Sequence, residues 1–198
     1  MEHNILITSV GGQGGITLAK VLAQAALNLR LNVLVGETLG MAQRGGSVES
    51  HVRIGKDVHS PLMSRGSCDV LLSLEPSESV RVPKYLSTKT QAILNTTPVY
   101  PIPVMLKEIS YPELPKIMSA LKRIGCKVYT LDAKLLAIEA DAPTSLNIVI
   151  LGAYAALNNG VLTTESMRKA LGEALSIRFL EANTRAFNKG YRAMKKLL

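Results

Sequence analysis

The sequence predicts a three-layer α/β/α domain: a mostly parallel, mixed sheet with helices on both faces and a helical C-terminus. Three observations lead there. Short apolar, β-branched runs alternate with segments of helical period. Two glycine-rich stretches, 11–15 and 36–46, each follow such a run, where α/β proteins place the loops of the sheet's carboxyl edge. From 145 onward the pattern is helical throughout. At 198 residues the chain suits one domain spanning 1–198, with its last helices, 145–198, packed on or beside the core.

Residues 4–10 (NILITSV) read as a buried strand running into the first glycine loop. From 16 to 29, Leu18, Val21, Leu22, Ala25, Ala26 and Leu29 recur at spacings of three and four, which predicts a helix. Residues 32–35 form a second strand, so the opening reads as a βαβ unit with a parallel sheet. After the second loop, Val48, Ser50, Val52 and Ile54 alternate with Ser47, Glu49, His51 and Arg53. Period two predicts a half-exposed strand with His51 at the surface. Residues 69–74 (DVLLSL) form another buried strand, Glu75-Pro76 opens a short helix, and 91–95 is a strand candidate. Five prolines make 97–115 an extended connection. A helix at 113–124, a strand at 126–131 and a short helix at 133–139 follow, then helices at 146–157, 164–175 and 177–196.

Composition excludes several classes. A chain that is 47% hydrophobic is not disordered, and no apolar run reaches the roughly 18 residues of a membrane span. The start, Met1-Glu2-His3-Asn4, has neither the basic patch nor the apolar stretch of a signal peptide, so a cytoplasmic location is expected. Cys68 and Cys126 are too few for an iron–sulfur cluster and lie beside apolar segments, as core residues do. His3, His51 and His59 have no metal-ligand spacing, so no metal site is expected. Of the net charge of +8, six units lie between Arg168 and Leu198. On a helix, Arg178, Arg185, Lys189, Arg192 and Lys196 fall on one face, and Leu180, Phe187, Met194 and Leu198 on the other. With 4% aromatics and no Trp, this is not a nucleic-acid surface. A solvated face or a docking surface for another protein remains.

Gly11, Gly12, Gln13, Gly14 and Gly15 stand where backbone N–H groups at a helix N-terminus meet an anion. The dinucleotide spacing needs glycines at 9, 11 and 14, but Ser9 takes the first place, and Lys20 is too far into the helix for a Walker A loop. A tight turn without a ligand, and a stand-alone flavin- or nucleotide-binding protein, both stay open. In the second loop, Arg44 can fork two hydrogen bonds to a carboxylate or phosphate, Gln43 offers donor and acceptor, and Gly45 and Gly46 allow close approach beside Met41. Glu37 either orients Arg44 or is an ordinary surface residue. Asn147 either caps its helix or reaches the crevice.

GGQGG at 11–15, GMAQRGGSV at 40–48, HVRIG at 51–55, SPL at 60–62 and LLSLEP at 71–76, in that order, resemble the gamma domain of the 2-oxoacid:ferredoxin oxidoreductases. The likeness continues through NIVILG at 147–152 and covers nearly the whole chain. It implies oxidative decarboxylation of a 2-oxoacid (an arylpyruvate in the subfamily most alike) to an acyl-CoA, with ferredoxin reduced. It also implies that thiamine diphosphate and iron–sulfur clusters sit on a larger alpha subunit, since this chain has no Gly-Asp-Gly and only two cysteines. The small chain would be inactive alone. Its two loops would face a crevice shared with that subunit, Gln13 and the 12–15 backbone on one wall and Met41, Gln43 and Arg44 on the other. Arg44 would then serve the substrate carboxylate or a coenzyme A phosphate. The basic helix face would dock the alpha subunit or guide an acidic ferredoxin.

Overall fold

The computed structural model describes residues 2–40, 46–100, 102–108, 110–158 and 160–198. Six strands and eight α-helices follow one another there: β1 (His3–Val10), α1 (Gly15–Asn28), β2 (Val33–Leu39), β3 (Ser47–Ile54), β4 (Val70–Ser73), α2 (Pro76–Ser79), β5 (Gln91–Asn95), α3 (Ile102–Met105), α4 (Leu114–Ile124), β6 (Lys127–Leu131), α5 (Ala133–Ile138), α6 (Leu146–Leu157), α7 (Thr164–Ala174) and α8 (Leu180–Lys195). Short 3-10 turns cover Pro83–Tyr85 and Ile177–Phe179, so the helix expected at 177–196 is a 3-10 turn leading into α8. Among the described residues of the connection at 97–115, α3 and the start of α4 are helical and the rest forms no regular element.

The sheet order is β2-β3-β1-β4-β5-β6. β1, β4, β5 and β6 pair in parallel, and β3 lies antiparallel to both β1 and β2. This corrects the expected βαβ opening. β1 and β2 do run the same way, but they never pair. β3 folds straight back along β2, from Leu39↔Val48 to Val33↔Ile54, and offers its other edge to β1. β2 also runs on to Leu39, so the second loop begins at Gly40 rather than Gly36. Gly36 answers a packing need instead: Pro61 lies across the strand, and a Cβ there would sit 2.9 Å from the Pro61 Cβ.

Because β3 is an interior strand, it is not half-exposed. Period two sorted its residues onto two faces, but both faces are covered, and every residue from Ser50 to Ile54 is buried. His51 is therefore not at the surface: it is 0% exposed, its ring edge-on to Tyr85 at 5.0 Å. Arg53, also expected to face outward, is a buried clamp. Its guanidinium donates to Asn4 Oδ1 (2.9 Å), to the carbonyls of Ser60 (2.7 Å) and Leu62 (3.2 Å), and to Glu2 Oε2 (2.7 Å). Two of the quoted motifs, HVRIG and SPL, are thus one structural unit.

One face of the sheet is covered by α1, α5, α6, α7 and α8. There Ile5, Ile7, Val52, Leu72 and Ile93 meet Leu18, Leu22, Ile148 and Phe187. The other face carries α2, the Pro83–Tyr85 turn and α4, with Leu6, Leu71 and Leu94 against Val82, Ile117 and Leu121. α6 is apolar all round and buried from Asn147 to Ala156, as a helix inside a layer must be. It crosses α8 at two glycines. A Cβ on Gly152 would collide with the Phe187 carbonyl, and one on Gly190 with the Val149 carbonyl. Cys68 and Cys126 are core residues as expected, their thiols pushed up in pKa chiefly by burial.

Candidate functional site at the carboxyl edge of the sheet

The parallel strands all end at one edge, where both glycine loops lie. The loops touch there, Gly11 N–H donating to the Gly46 carbonyl at 2.9 Å. Met41, Gln43, Arg44 and Gly45 lie outside the described residues. Gly12 (φ 98°) and Gly14 (φ 80°) take left-handed backbone that favours glycine. Gly14 also lies so close to Asn147 that a Cβ would come within 2.6 Å of its Nδ2. Gly15 needs its hydrogen for a different reason: a Cβ would strike the hydroxyl of Ser9, the residue that departs from the dinucleotide spacing.

Gln13, expected on the crevice wall, lines the cleft beside the first loop, with its amide tied back onto the sheet. Its Oε1 accepts from Val10 N–H (2.9 Å), and its Nε2 donates to the Leu74 carbonyl (3.2 Å). The same carbonyl accepts from Asn95 Nδ2 (3.0 Å), which also donates to the Thr97 carbonyl (2.7 Å). A continuous line of hydrogen bonds therefore joins the loop after β1 to the ends of β4 and β5. Asn95 was not singled out in the sequence. Its only signal is a polar residue ending an apolar strand.

Beside the first loop is a cleft of ≈ 400 Å³ lined by Gly12, Gln13, Gly14, Thr17, Ser145, Asn147 and Phe179, among others, with the acidic Asp141 also on its wall. Two helix N-termini point into it, those of α1 and α6. Neither has a side-chain cap or an acidic residue in its first turn. By contrast α5 is capped by Asp132, and α7 by Thr163 with Glu165 in its first turn. Partial positive charge from two helices is thus left facing one space, which suits an anion. Asn147 lines the cleft and also serves its own helix, its Oδ1 accepting from Ile148 N–H at 3.0 Å in the first turn of α6. It is the second residue of its helix and donates from Nδ2 to the Gly14 carbonyl at 3.1 Å, tying α6 to the first loop. Glu37 is exposed.

At the end of β4, Glu75 is 0% exposed. Its Oε2 accepts from Val99 N–H (2.7 Å), and its Oε1 from the Tyr111 hydroxyl (2.5 Å) and Ser77 Oγ (3.2 Å). Burial, and then the bond to Glu75, push the Tyr111 phenol up in pKa, so it stays a donor. The LLSLEP motif contains Glu75, but read only as the start of a helix.

On α8, Phe187 and Met194 are buried as expected, whereas Leu198 is 57% exposed. The basic face is partly used within the chain. Arg185 donates to the Ala140 carbonyl (2.9 Å) and pairs with Glu181 (2.8 Å), and Lys189 pairs with Glu139 (2.9 Å). Arg178, Arg192 and Lys196 are exposed. Among the described residues no helix is long and apolar enough to cross a membrane.

The family profile "Pyruvate ferredoxin/flavodoxin oxidoreductase" matches residues 4–193. A protein of Archaeoglobus fulgidus named "Indolepyruvate oxidoreductase subunit IorB" is 38% identical over 96% of this chain and 94% of its own length. One of the same name from Methanothermobacter thermautotrophicus is also 38% identical, over 98% of each chain. Among solved structures, the keto/oxoacid ferredoxin oxidoreductase gamma subunit of Geobacter sulfurreducens has a TM-score of 0.70 at 24% identity, over 97% of this chain and 98% of that one. The 2-oxoglutarate:ferredoxin oxidoreductase of Magnetococcus marinus, solved with 2-oxoglutarate, coenzyme A and succinyl-CoA, has a TM-score of 0.73 at 21% identity, over all of this chain and 31% of that one.

Proposed function

Because this chain belongs to the pyruvate ferredoxin/flavodoxin oxidoreductase family, we propose that it is the small (beta) subunit of an indolepyruvate:ferredoxin oxidoreductase. The observation that carries this is identity of 36–38% to proteins named as that subunit over nearly the full chain. All 198 residues act as one gamma-type domain, in the cytoplasm. The assembled enzyme converts an arylpyruvate and coenzyme A to the aryl-acyl-CoA and carbon dioxide. Two electrons pass to two ferredoxins and one proton is released.

Thiamine diphosphate, held by the larger alpha subunit, supplies stabilisation of negative charge at the carbon that loses carbon dioxide. Iron–sulfur clusters belong to that subunit too, for this chain has only two cysteines, Cys68 and Cys126, both buried in its core. This chain's part is binding and electrostatics. Coenzyme A carries phosphates, and the cleft between the N-termini of α1 and α6 offers backbone N–H donors and helix-end charge to one of them. Gly12, Gly14 and Gly15 keep that approach free of side chains, and Gln13 holds the loop's shape. Met41, Gln43, Arg44, Gly45 and Gly46 form the facing loop, with Arg44 as the fork for the 2-oxoacid carboxylate or a coenzyme A phosphate.

The test is dye reduction with arylpyruvate and coenzyme A, using this chain alone, the alpha subunit alone and the pair. Only the pair should turn over, and equal activity without this chain would overturn the proposal. In the pair, Arg44→Ala should raise the KM for the 2-oxoacid or for coenzyme A at least tenfold. Unchanged turnover and unchanged KM for both would remove Arg44 from the site. A tightly bound chromophore in the purified chain alone would point instead to a flavin-binding protein.

A further inference from the structure

Ser47 stands at the joint of the two glycine loops. Its carbonyl accepts from Gly40 N–H at 2.8 Å, which closes the base of the second loop. The carbonyl just before it, that of Gly46, accepts from Gly11 N–H and ties this base to the first loop. The Ser47 hydroxyl goes elsewhere. It donates to Glu78 Oε2 at 2.6 Å, within the roughly 2.5–2.7 Å of a charge-assisted O–H···O⁻ bond. Glu78 belongs to α2, which follows β4, and β1 lies between β4 and β3. The bond therefore reaches across the end of β1, over two strand spacings or about 10 Å.

Glu78 is 7% exposed. A carboxylate out of water is costly unless close donors meet it. Arg81 Nε lies 3.5 Å from the same oxygen, but its side chain is mostly exposed, and such a pair is weak. The Ser47 hydroxyl is the close donor. The helix that presents Glu78 is fixed in turn: Ser73 Oγ donates to the Glu75 carbonyl (2.7 Å), Ser77 N–H to the Tyr111 hydroxyl (3.2 Å) and Ser79 Oγ to the Pro76 carbonyl (2.6 Å). From this we infer that Glu78 is a positioning residue for substrate binding: it holds Ser47, and through Ser47 the joint from which the second glycine loop reaches its ligand. This rests on the role proposed above for Arg44. A site ordered beforehand binds at lower cost, so the loss of Glu78 shows in KM rather than in kcat.

The experiment measures KM and kcat of the assembled pair with arylpyruvate and coenzyme A. Glu78→Leu should raise about tenfold the same KM that Arg44→Ala raises, and change kcat less than about twofold. Glu78→Gln, which can still accept from Ser47, should bring that KM back to within about threefold of wild type. With Arg44→Ala already in place, Glu78→Leu should add nothing further, since both act through one loop. Ser47→Ala removes the other end of the bond and takes the place of Glu78→Leu if that variant does not fold. Glu113→Leu, which removes an exposed carboxylate just before α4, should leave KM unchanged. If Glu78→Leu and Ser47→Ala keep the wild-type KM, if kcat falls instead, or if the effects of Glu78→Leu and Arg44→Ala multiply, Glu78 does not position the loop and the inference fails. If Arg44→Ala itself leaves both KM values unchanged, or the wild-type pair does not turn over, the function proposed above fails and this inference with it.

Discussion

The two faces of the sheet are held by different physics. Under α6 and α8 the contacts are apolar and close, down to two helix backbones meeting at Gly152 and Gly190. On the opposite face the layer is thin, and directional bonds fix its loops. Arg53 holds Ser60 and Leu62, and Glu75 holds Val99 and Tyr111. Packing gives a rigid back to the molecule, while buried polar groups place the irregular segments from which the carboxyl edge is built. Dispersive contacts can shift by tenths of an ångström with modest loss, but a buried guanidinium or carboxylate without its partners loses far more.

The most severe way to break this comparison is Gly190→Val. Its side chain would occupy the space of the Val149 carbonyl, so on the order of 4 kcal/mol of stability should go. Thermal unfolding should then fall by more than about 10 °C. A melting temperature within two or three degrees of wild type, roughly the effect of a single surface change, would mean that α8 slides freely and the face is not tightly packed. Arg53→Met keeps the apolar stem but leaves Asn4, Glu2 and two carbonyls without their donor. It should cost about 3 kcal/mol in denaturant unfolding and open residues 57–66 to proteolysis. A loss below about 0.5 kcal/mol would show that polar bonds do not hold this face. Asn147→Ala removes one bond between α6 and the glycine loop, so about 1 kcal/mol is expected. If its coenzyme A affinity also falls, the two faces are coupled through that loop.

The smallest effect sharpens the comparison with pH. His3 lies on the helical face, its Nε2 2.9 Å from the Tyr154 hydroxyl. Burial pushes its pKa below the ordinary 6.5, Asp69 pulls it the other way, and Lys89 reinforces burial. The unfolded chain therefore binds the proton first as pH falls. The stabilisation is complete above the ordinary value and is lost as pH drops from there through the folded one. His3→Gln should lessen the fall in melting temperature between about pH 7.5 and about pH 5.5 by about 1–2 °C. An identical fall in both proteins would show that His3 does not contribute.

Most elements were legible because apolar period is local: α6 lies at 146–157 and β5 at 91–95, as their patterns indicate. Strand order is not local. Nothing in SVESHVRI states that two strands will flank it, so His51 and Arg53 read as surface residues and are buried. Of the site, the glycines were legible, since the positive φ of Gly12 and Gly14 favours that residue. Asn95, Glu75 and Tyr111 were not, because a buried polar residue looks like an exposed one until its partners, up to 38 positions away, are in place.

The wedge of β3 between β1 and β2 also sets an order in time. Among the described residues β1 pairs only with β3 and β4, and β2 only with β3. As the chain leaves the ribosome, its first 46 residues can make α1 but not one rung of the sheet. At roughly 5–20 residues per second, NILITSV therefore waits for seconds as an unpaired apolar strand. Nascent-chain protection of β1 should begin only after residues 47–54 emerge, which makes that interval the window for chaperone capture.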